Sequence, residues 1–138
     1  MRRRPSLHAI PGRLATGAFI LHSGMEKWGA PPERAAGLHQ TASAAFPVLR
    51  SLSPGVFVRL LSVSEMATGS LLLAPFVRNR VAGAALTAFS GALLTMYWRT
   101  PAMRREGSIW PSPAGLAVSK DVWMLGIGLD LLADAAGR

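Results

Sequence analysis

The chain has 138 residues, of which half are hydrophobic and 16% are charged, and its mean hydropathy is +0.30. This length suits one domain, and the composition is too apolar for a disordered chain. Because the sequence contains no cysteine, disulfide bonds, thiolate catalysis and Cys-ligated zinc or iron–sulfur centres are excluded within it. The net charge of +8 would suit a nucleic-acid-binding protein. The basic residues do not form a stripe beside stacking aromatic residues, so we expect no nucleic-acid partner.

The first apolar segment follows an arginine cluster, residues 2–4 and Arg13, as the apolar region of a secretory signal does. No A-x-A-like cleavage site follows it, so we interpret the segment as a retained helix over 10–28. Three more apolar stretches have similar lengths, over 57–77, 81–98 and 116–136. About 20 helical residues cross a hydrocarbon core of roughly 30 Å. The pattern therefore predicts an all-α fold, an integral membrane four-helix bundle formed by a single domain over 1–138.

The connections between the four spans differ in length. Residues 78–80 alone separate the second and third spans, which predicts a tight antiparallel hairpin. The linker 29–55 has two consecutive prolines at 31–32, near its start. This pattern predicts a short helix over 34–46 at the membrane surface, between spans one and two. The linker 99–115 is rich in proline and glycine, which predicts a turn-rich loop without a further span.

The apolar residues of the spans are distributed around the whole helix, as lipid-facing helices require. Small residues recur every four positions in the third span: Gly83, Thr87, Gly91 and Thr95. This spacing predicts a smooth face on which a neighbouring helix packs closely. An ordinary composition rich in alanine and glycine would give the same pattern, so both interpretations stay open.

Charged residues gather on one side of the predicted bundle. Four spans place the linkers 29–55 and 99–115 on the same side, whichever way the chain is oriented. Glu65 lies about 12 Å below that surface, at 1.5 Å per residue. Seven ionisable residues converge on this half of the bundle as a candidate polar pocket: His22, Glu26, Lys27, Glu65, Arg99, Lys120 and Asp121.

A carboxylate at the depth of Glu65 costs on the order of 2.5 to 3.5 kcal/mol to insert, so it needs a partner. The first candidates are Lys27, Lys120 and His22. Three interpretations stay open: a buried ion-pair network that only fixes helix registry, a ligand or proton site, and a water-filled vestibule. His22 and Glu26, four residues apart, have no second ligand pair beside them, and we predict no metal site.

Several residues near the span ends suit the membrane interface. Arg13 and Arg59 have long stems that can reach the headgroups from within a span. Trp123, deeper in the fourth span, is a candidate to line a pocket instead. The remaining large aromatic residues near the two linkers predict interface anchors: Trp28, Tyr97, Trp98 and Trp110.

In their order and spacing, four features resemble the DoxX-like family of small bacterial membrane proteins. They are Gly17 with the run 22–27 in the first span, Glu65 with Gly69 and a leucine run in the second, the small-residue third span, and Lys120-Asp121 at the start of the fourth. The resemblance implies a four-helix protein of the bacterial inner membrane. Some members of the family are attached to respiratory or thiol-redox complexes, and the quinone-linked members work together with partner subunits; the resemblance does not imply an enzyme.

The leading hypothesis is an accessory or scaffold subunit of a redox-linked membrane complex, whose polar pocket around Glu65 binds a quinone, a lipid or a partner helix. The alternative is a quinone-linked oxidoreductase subunit, in which Glu65 accepts a proton and Lys120 or Lys27 stabilises a quinol oxyanion. A soluble DNA-binding bundle is the third hypothesis. Catalysis by the chain alone and its oligomeric state stay open. Because the arginine cluster precedes the first span, we expect both termini in the cytoplasm.

Overall fold

The computed structural model describes residues 6–136, and these residues are mostly helical. Between residues 6 and 136 there is no β-strand, and one isolated antiparallel bridge joins Arg104 to Pro111. The all-helical prediction is therefore confirmed. The arginine cluster at residues 2–4, on which the predicted orientation depends, lies outside the described residues. Six α-helices are described: α1 (Ile10–Trp28), α2 (Pro32–Ala45), α3 (Pro54–Leu73), α4 (Asn79–Arg99), the one-turn α5 (Leu116–Ser119) and α6 (Asp121–Ala136).

The helix ends follow local chemistry more closely than the hydrophobic pattern does. Helix α2 begins at Pro32. Proline suits the first turn of a helix because the backbone nitrogen there has no hydrogen-bond partner within the helix. Helix α3 ends at Leu73 because Ala74 precedes Pro75 and is extended, with φ −71° and ψ 117°. The connection to α4 is therefore residues 74–78, and the predicted connection over 78–80 is wrong. The predicted fourth stretch is interrupted at Lys120, between α5 and α6.

Two antiparallel helix pairs make the main contacts of the fold: α1 packs along α3, and α4 packs along α6. Glycines allow both approaches. A Cβ atom on Gly69 would lie 2.6 Å from the backbone nitrogen of Leu21, and one on Gly128 would lie 2.6 Å from Oγ1 of Thr87. The small-residue face of the third stretch is thus used at Gly83 and Thr87, whereas a Cβ atom on Gly91 would meet open space. The contact between α3 and α4 is smaller than either pair.

The outer surface of these helices is apolar. Helices α3 and α4 are long and apolar enough to cross a membrane, and only 33% and 28% of their most apolar windows are buried. Large side chains such as Phe19, Leu60 and Val63 are exposed along the helices. The fully buried large side chains are few and lie between the pairs: Ile20, Leu72, Leu86 and Leu131. Helix α6 has 16 residues, about 24 Å of helix, which is shorter than a typical bilayer core.

Candidate functional site

A buried ion pair joins α1 to α3. Nζ of Lys27 lies 3.0 Å from Oε1 and 3.0 Å from Oε2 of Glu65, and it also donates a 2.6 Å hydrogen bond to Oγ of Ser23. The side chains of Lys27 and Glu65 are 14% and 6% exposed. The ammonium thus has an acceptor for each of its protons, and the structure selects Lys27 from the three candidate partners of Glu65.

Close packing of the two helices creates this pair. Oγ of Ser62 donates a 2.6 Å hydrogen bond to the carbonyl oxygen of Gly24, and a Cβ atom on Gly24 would lie 2.9 Å from that part of α3. Lys27 lies one turn after Gly24, and Glu65 lies one turn after Ser62. Because α1 and α3 are antiparallel, the two positions lie on opposite sides of the Gly24–Ser62 contact, and the long lysine side chain spans the offset. The ion pair therefore bridges a contact that small residues make possible.

Asp121 adds a second carboxylate to the pair. It is the first residue of α6, where a negative charge interacts favourably with the helix dipole. It is half-buried, and its charge interacts with both Glu65 and Lys27. We call Lys27, Glu65 and Asp121 the lysine cluster. It contains two carboxylates for one ammonium, and the ion pair within it is that between Lys27 and Glu65.

The other four predicted pocket residues lie outside the lysine cluster. His22 and Glu26 pair with each other on the surface, with Nε2 and Oε1 3.2 Å apart. Nη1 of Arg99 donates to the carbonyl oxygen of Ala45 over 3.2 Å, and its guanidinium stacks on Phe46. Lys120 is exposed and points to a neighbouring groove. The seven residues therefore do not form one pocket around Glu65.

The neighbouring groove has a volume of about 760 Å³ and lies between the end of α4, the loop 100–115 and the start of α6. We call it the aromatic groove. Its lining includes Tyr97, Trp110 and Trp123 together with the cations Arg105 and Lys120, and Glu65 does not line it. The hydroxyl of Tyr97 donates a 2.7 Å hydrogen bond to the carbonyl oxygen of Ile109, which holds the loop against α4.

A second polar network, at the opposite ends of these helices, was missed by the sequence analysis. Arg13 is 3% exposed and uses all its guanidinium nitrogens. They donate to Oδ1 of Asn79 over 2.8 Å and to four carbonyl oxygens, over 2.8 to 2.9 Å, in the last turn of α3 and the connection after it: Leu71, Leu72, Ala74 and Val77. The expectation that Arg13 reaches headgroups is therefore wrong, because its side chain caps a neighbouring helix.

Asp134 completes this network from α6. Its Oδ2 accepts hydrogen bonds of 2.9 Å from Nδ2 of Asn79 and 3.0 Å from Oγ of Ser6, and its Oδ1 lies 3.4 Å from Nε2 of His8. We call Arg13, Asn79 and Asp134 the arginine network. One sequence signal could have found it. If successive spans cross the bundle in opposite directions, residues 13, 79 and 134 all lie at the same end of the bundle, where a cation and an anion would meet.

The described residues contain no group of three histidine, aspartate or glutamate side chains that could hold a metal ion. Comparison of the chain with protein-family models, with curated proteins and with solved structures found no match.

Proposed function

We propose that the chain is a multi-pass protein of the bacterial inner membrane, a four-helix membrane bundle in which α2 lies at the surface. The exposed apolar sides of α3 and α4 support this proposal, since a soluble protein would bury helices of that composition. The two polar networks support it as well. Charges inside the membrane are stabilised when they pair with one another or with backbone carbonyls, and Arg13 and Glu65 are both paired in this way.

Within that membrane, the chain acts as an accessory subunit that binds a partner helix. The observation that carries this part is Asp130, which is exposed on α6 nine residues after its start, about 13 Å along the helix. An exposed carboxylate at that depth is costly in lipid. Beside it, Gly126 is exposed, and a Cβ atom there would meet open space. A partner helix that carries a cation or a hydrogen-bond donor would stabilise the Asp130 carboxylate and pack closely over Gly126.

The redox-linked part of the proposal rests on the DoxX-like resemblance alone, which we keep as a proposal. The alternative, a quinone-linked oxidoreductase subunit, draws on the aromatic groove, where Trp110 and Trp123 offer stacking surfaces for a quinone ring. Glu65 is a poor direct proton acceptor for such a ligand, because Lys27 engages both of its oxygens and it does not line the groove. If the alternative holds, Trp123→Ala should weaken binding of a quinone analogue in the aromatic groove, whereas Glu65→Gln, outside the groove, should leave that binding unchanged.

The absence of cysteine makes the membrane topology directly testable. Phe76 and Glu106 are exposed in the two connections at opposite ends of α4. A single Phe76→Cys and a single Glu106→Cys should react with a membrane-impermeant maleimide from opposite faces of the inner membrane. We expect Glu106→Cys to react from the periplasmic face and Phe76→Cys from the cytoplasmic face. Labelling of both from one face would refute the four-span topology. Extraction of the protein by alkaline carbonate would refute membrane integration.

The partner proposal is tested at Asp130. Asp130→Leu should release proteins that co-purify with the tagged chain from native membranes, and Asp130→Asn, which keeps a hydrogen-bonding group, should release them partly. Glu33 is an exposed carboxylate on α2, so Glu33→Leu is the matched control and should leave co-purification unchanged. If all three variants retain the same set of partners, Asp130 does not bind a partner helix.

A further inference from the structure

The aromatic groove has an unbalanced charge. Arg105 and Lys120 line it, and no aspartate or glutamate is among its lining residues. Neither cation forms an ion pair within residues 6–136. Nε of Arg105 donates a 3.3 Å hydrogen bond to the carbonyl oxygen of Pro111, which holds the guanidinium beside the loop. Two cations at one concave site with no internal anion are complementary to an anionic group.

The rest of the lining indicates the chemistry attached to that anion. Arg105 and Trp110 lie in the loop, whereas Leu94 and Val122 lie on α4 and α6 and face the same groove. Leu94 is three residues, about one turn, deeper in its helix than Tyr97. One cation thus lies in the loop and the other just before α6, and the apolar side chains of Leu94 and Val122 line the same groove. Tryptophan and tyrosine beside such a mixture of cations and apolar residues are typical of the membrane–water interface.

We propose that the aromatic groove binds one anionic phospholipid, with its phosphate between Arg105 and Lys120 and the start of an acyl chain along Leu94 and Val122. This inference depends on the membrane location proposed above. The volume of about 760 Å³ is within the range of small-molecule sites, so it holds a headgroup and the first part of the chains. A neutral quinone would fill the apolar part and leave both cations without a counter-charge, so the charge favours the phospholipid.

The test measures lipid binding to the full chain, purified in a non-ionic detergent, by native mass spectrometry. Phosphatidylglycerol is the anionic probe, and phosphatidylcholine with the same acyl chains is its zwitterionic control. We expect the wild-type chain to retain one phosphatidylglycerol in preference to phosphatidylcholine. Each cation near an anionic lipid contributes about a fivefold factor in affinity. Arg105→Gln and Lys120→Gln should therefore each weaken binding about fivefold, and the double variant about 25-fold.

The matched control is the double variant Arg34→Gln/Arg50→Gln. It removes the same number of charges from two exposed arginines on the other linker, outside the groove. Its binding of phosphatidylglycerol should equal that of the wild-type chain. Equal retention of the two lipids, an equal loss in the control, or displacement of the lipid by decylubiquinone or inorganic phosphate would overturn the proposal.

Two failures remain distinguishable. A chain that is monodisperse and helical in buffer without detergent would refute the membrane location itself. A chain that needs detergent but shows no preference for phosphatidylglycerol would refute only the lipid site. Because Arg105 and Lys120 are both exposed, their substitution by glutamine should preserve the helical circular dichroism spectrum, so a loss of binding is attributable to the lost charges.

Discussion

The two buried polar groups, the arginine network and the lysine cluster, differ in how completely they are satisfied. Arg13 donates to four backbone carbonyls and to Asn79, and Asn79 links it to the Asp134 carboxylate. Within the described residues, the Arg13 guanidinium and the Asp134 carboxylate are therefore linked through the neutral amide of Asn79. In the lysine cluster, the ammonium of Lys27 pairs with Glu65, and the Asp121 carboxylate, which lies outside that ion pair, leaves an excess negative charge.

This difference predicts unequal contributions of the two groups to stability. The last turn of α3 has no basic residue of its own, and the guanidinium of Arg13 supplies the charge and the hydrogen bonds that its terminal carbonyls lack. This network links α1, α3, α4 and α6. The lysine cluster has fewer hydrogen bonds and lies next to the aromatic groove through the neighbouring residues Lys120 and Asp121. We therefore expect a larger loss of stability from a change in the arginine network than from a change in the lysine cluster.

The largest stability loss is expected for Arg13→Met. It removes five hydrogen bonds and leaves their acceptors inside an apolar bundle, at a cost of about 5 kcal/mol. The thermal unfolding midpoint in detergent measures it. Arg13→Lys should recover part of the loss, since an ammonium has three donors. Arg59→Met, which replaces an exposed arginine on α3, is the control and should unfold at the wild-type temperature; an equal midpoint for Arg13→Met would mean that the network is not needed.

A smaller loss, about 3 kcal/mol, is expected for Glu65→Ala, because the Asp121 carboxylate stays near the buried ammonium of Lys27. The double variant Glu65→Ala/Lys27→Met should recover much of this loss, since it removes the unpaired cation as well. Glu65→Ala/Lys120→Met is the matched control and should recover none of it. Rescue by the Lys120 change instead of the Lys27 change would contradict the pairing described above.

The smallest expected changes in stability should differ in sign between the arginine network and the lysine cluster. Asp134→Asn loses the negative acceptor of the hydrogen bonds from Asn79 and Ser6 and should destabilise the fold by about 1 kcal/mol. Asp121→Asn removes the surplus charge beside Glu65 and should leave stability unchanged or raise it by up to about 1 kcal/mol. Both variants are compared by the same thermal measurement. Destabilisation by both changes to the same extent would show that the two groups do not differ in charge balance.

The hydrophobic pattern and the positions of proline and glycine were enough to predict that these helices exist. The first stretch, expected over 10–28, is helical over Ile10–Trp28, and the turn-rich loop after Arg99 has no long helix. The end of α3 and the start of α4 were displaced in the prediction, because hydrophobic residues continue past Leu73 while Pro75 already stops the helix. The hydrophobic pattern also gives no indication that the fourth stretch is divided at Lys120. Apolar composition identifies a helix, but local hydrogen bonds decide where it ends.

The sequence by itself determined that Glu65 must have a partner on another helix, because no residue one turn away on α3 carries a charge that could neutralise it. Only the tertiary structure decided that the partner is Lys27, that Lys120 turns to the aromatic groove, and that Arg13 caps α3. The physical reason is how closely the two helices approach each other. Gly17, Gly24 and Gly69 let α1 and α3 approach until backbone and side chains touch. The rotation and offset fixed by that contact, which spacing along one chain does not encode, select which charges meet.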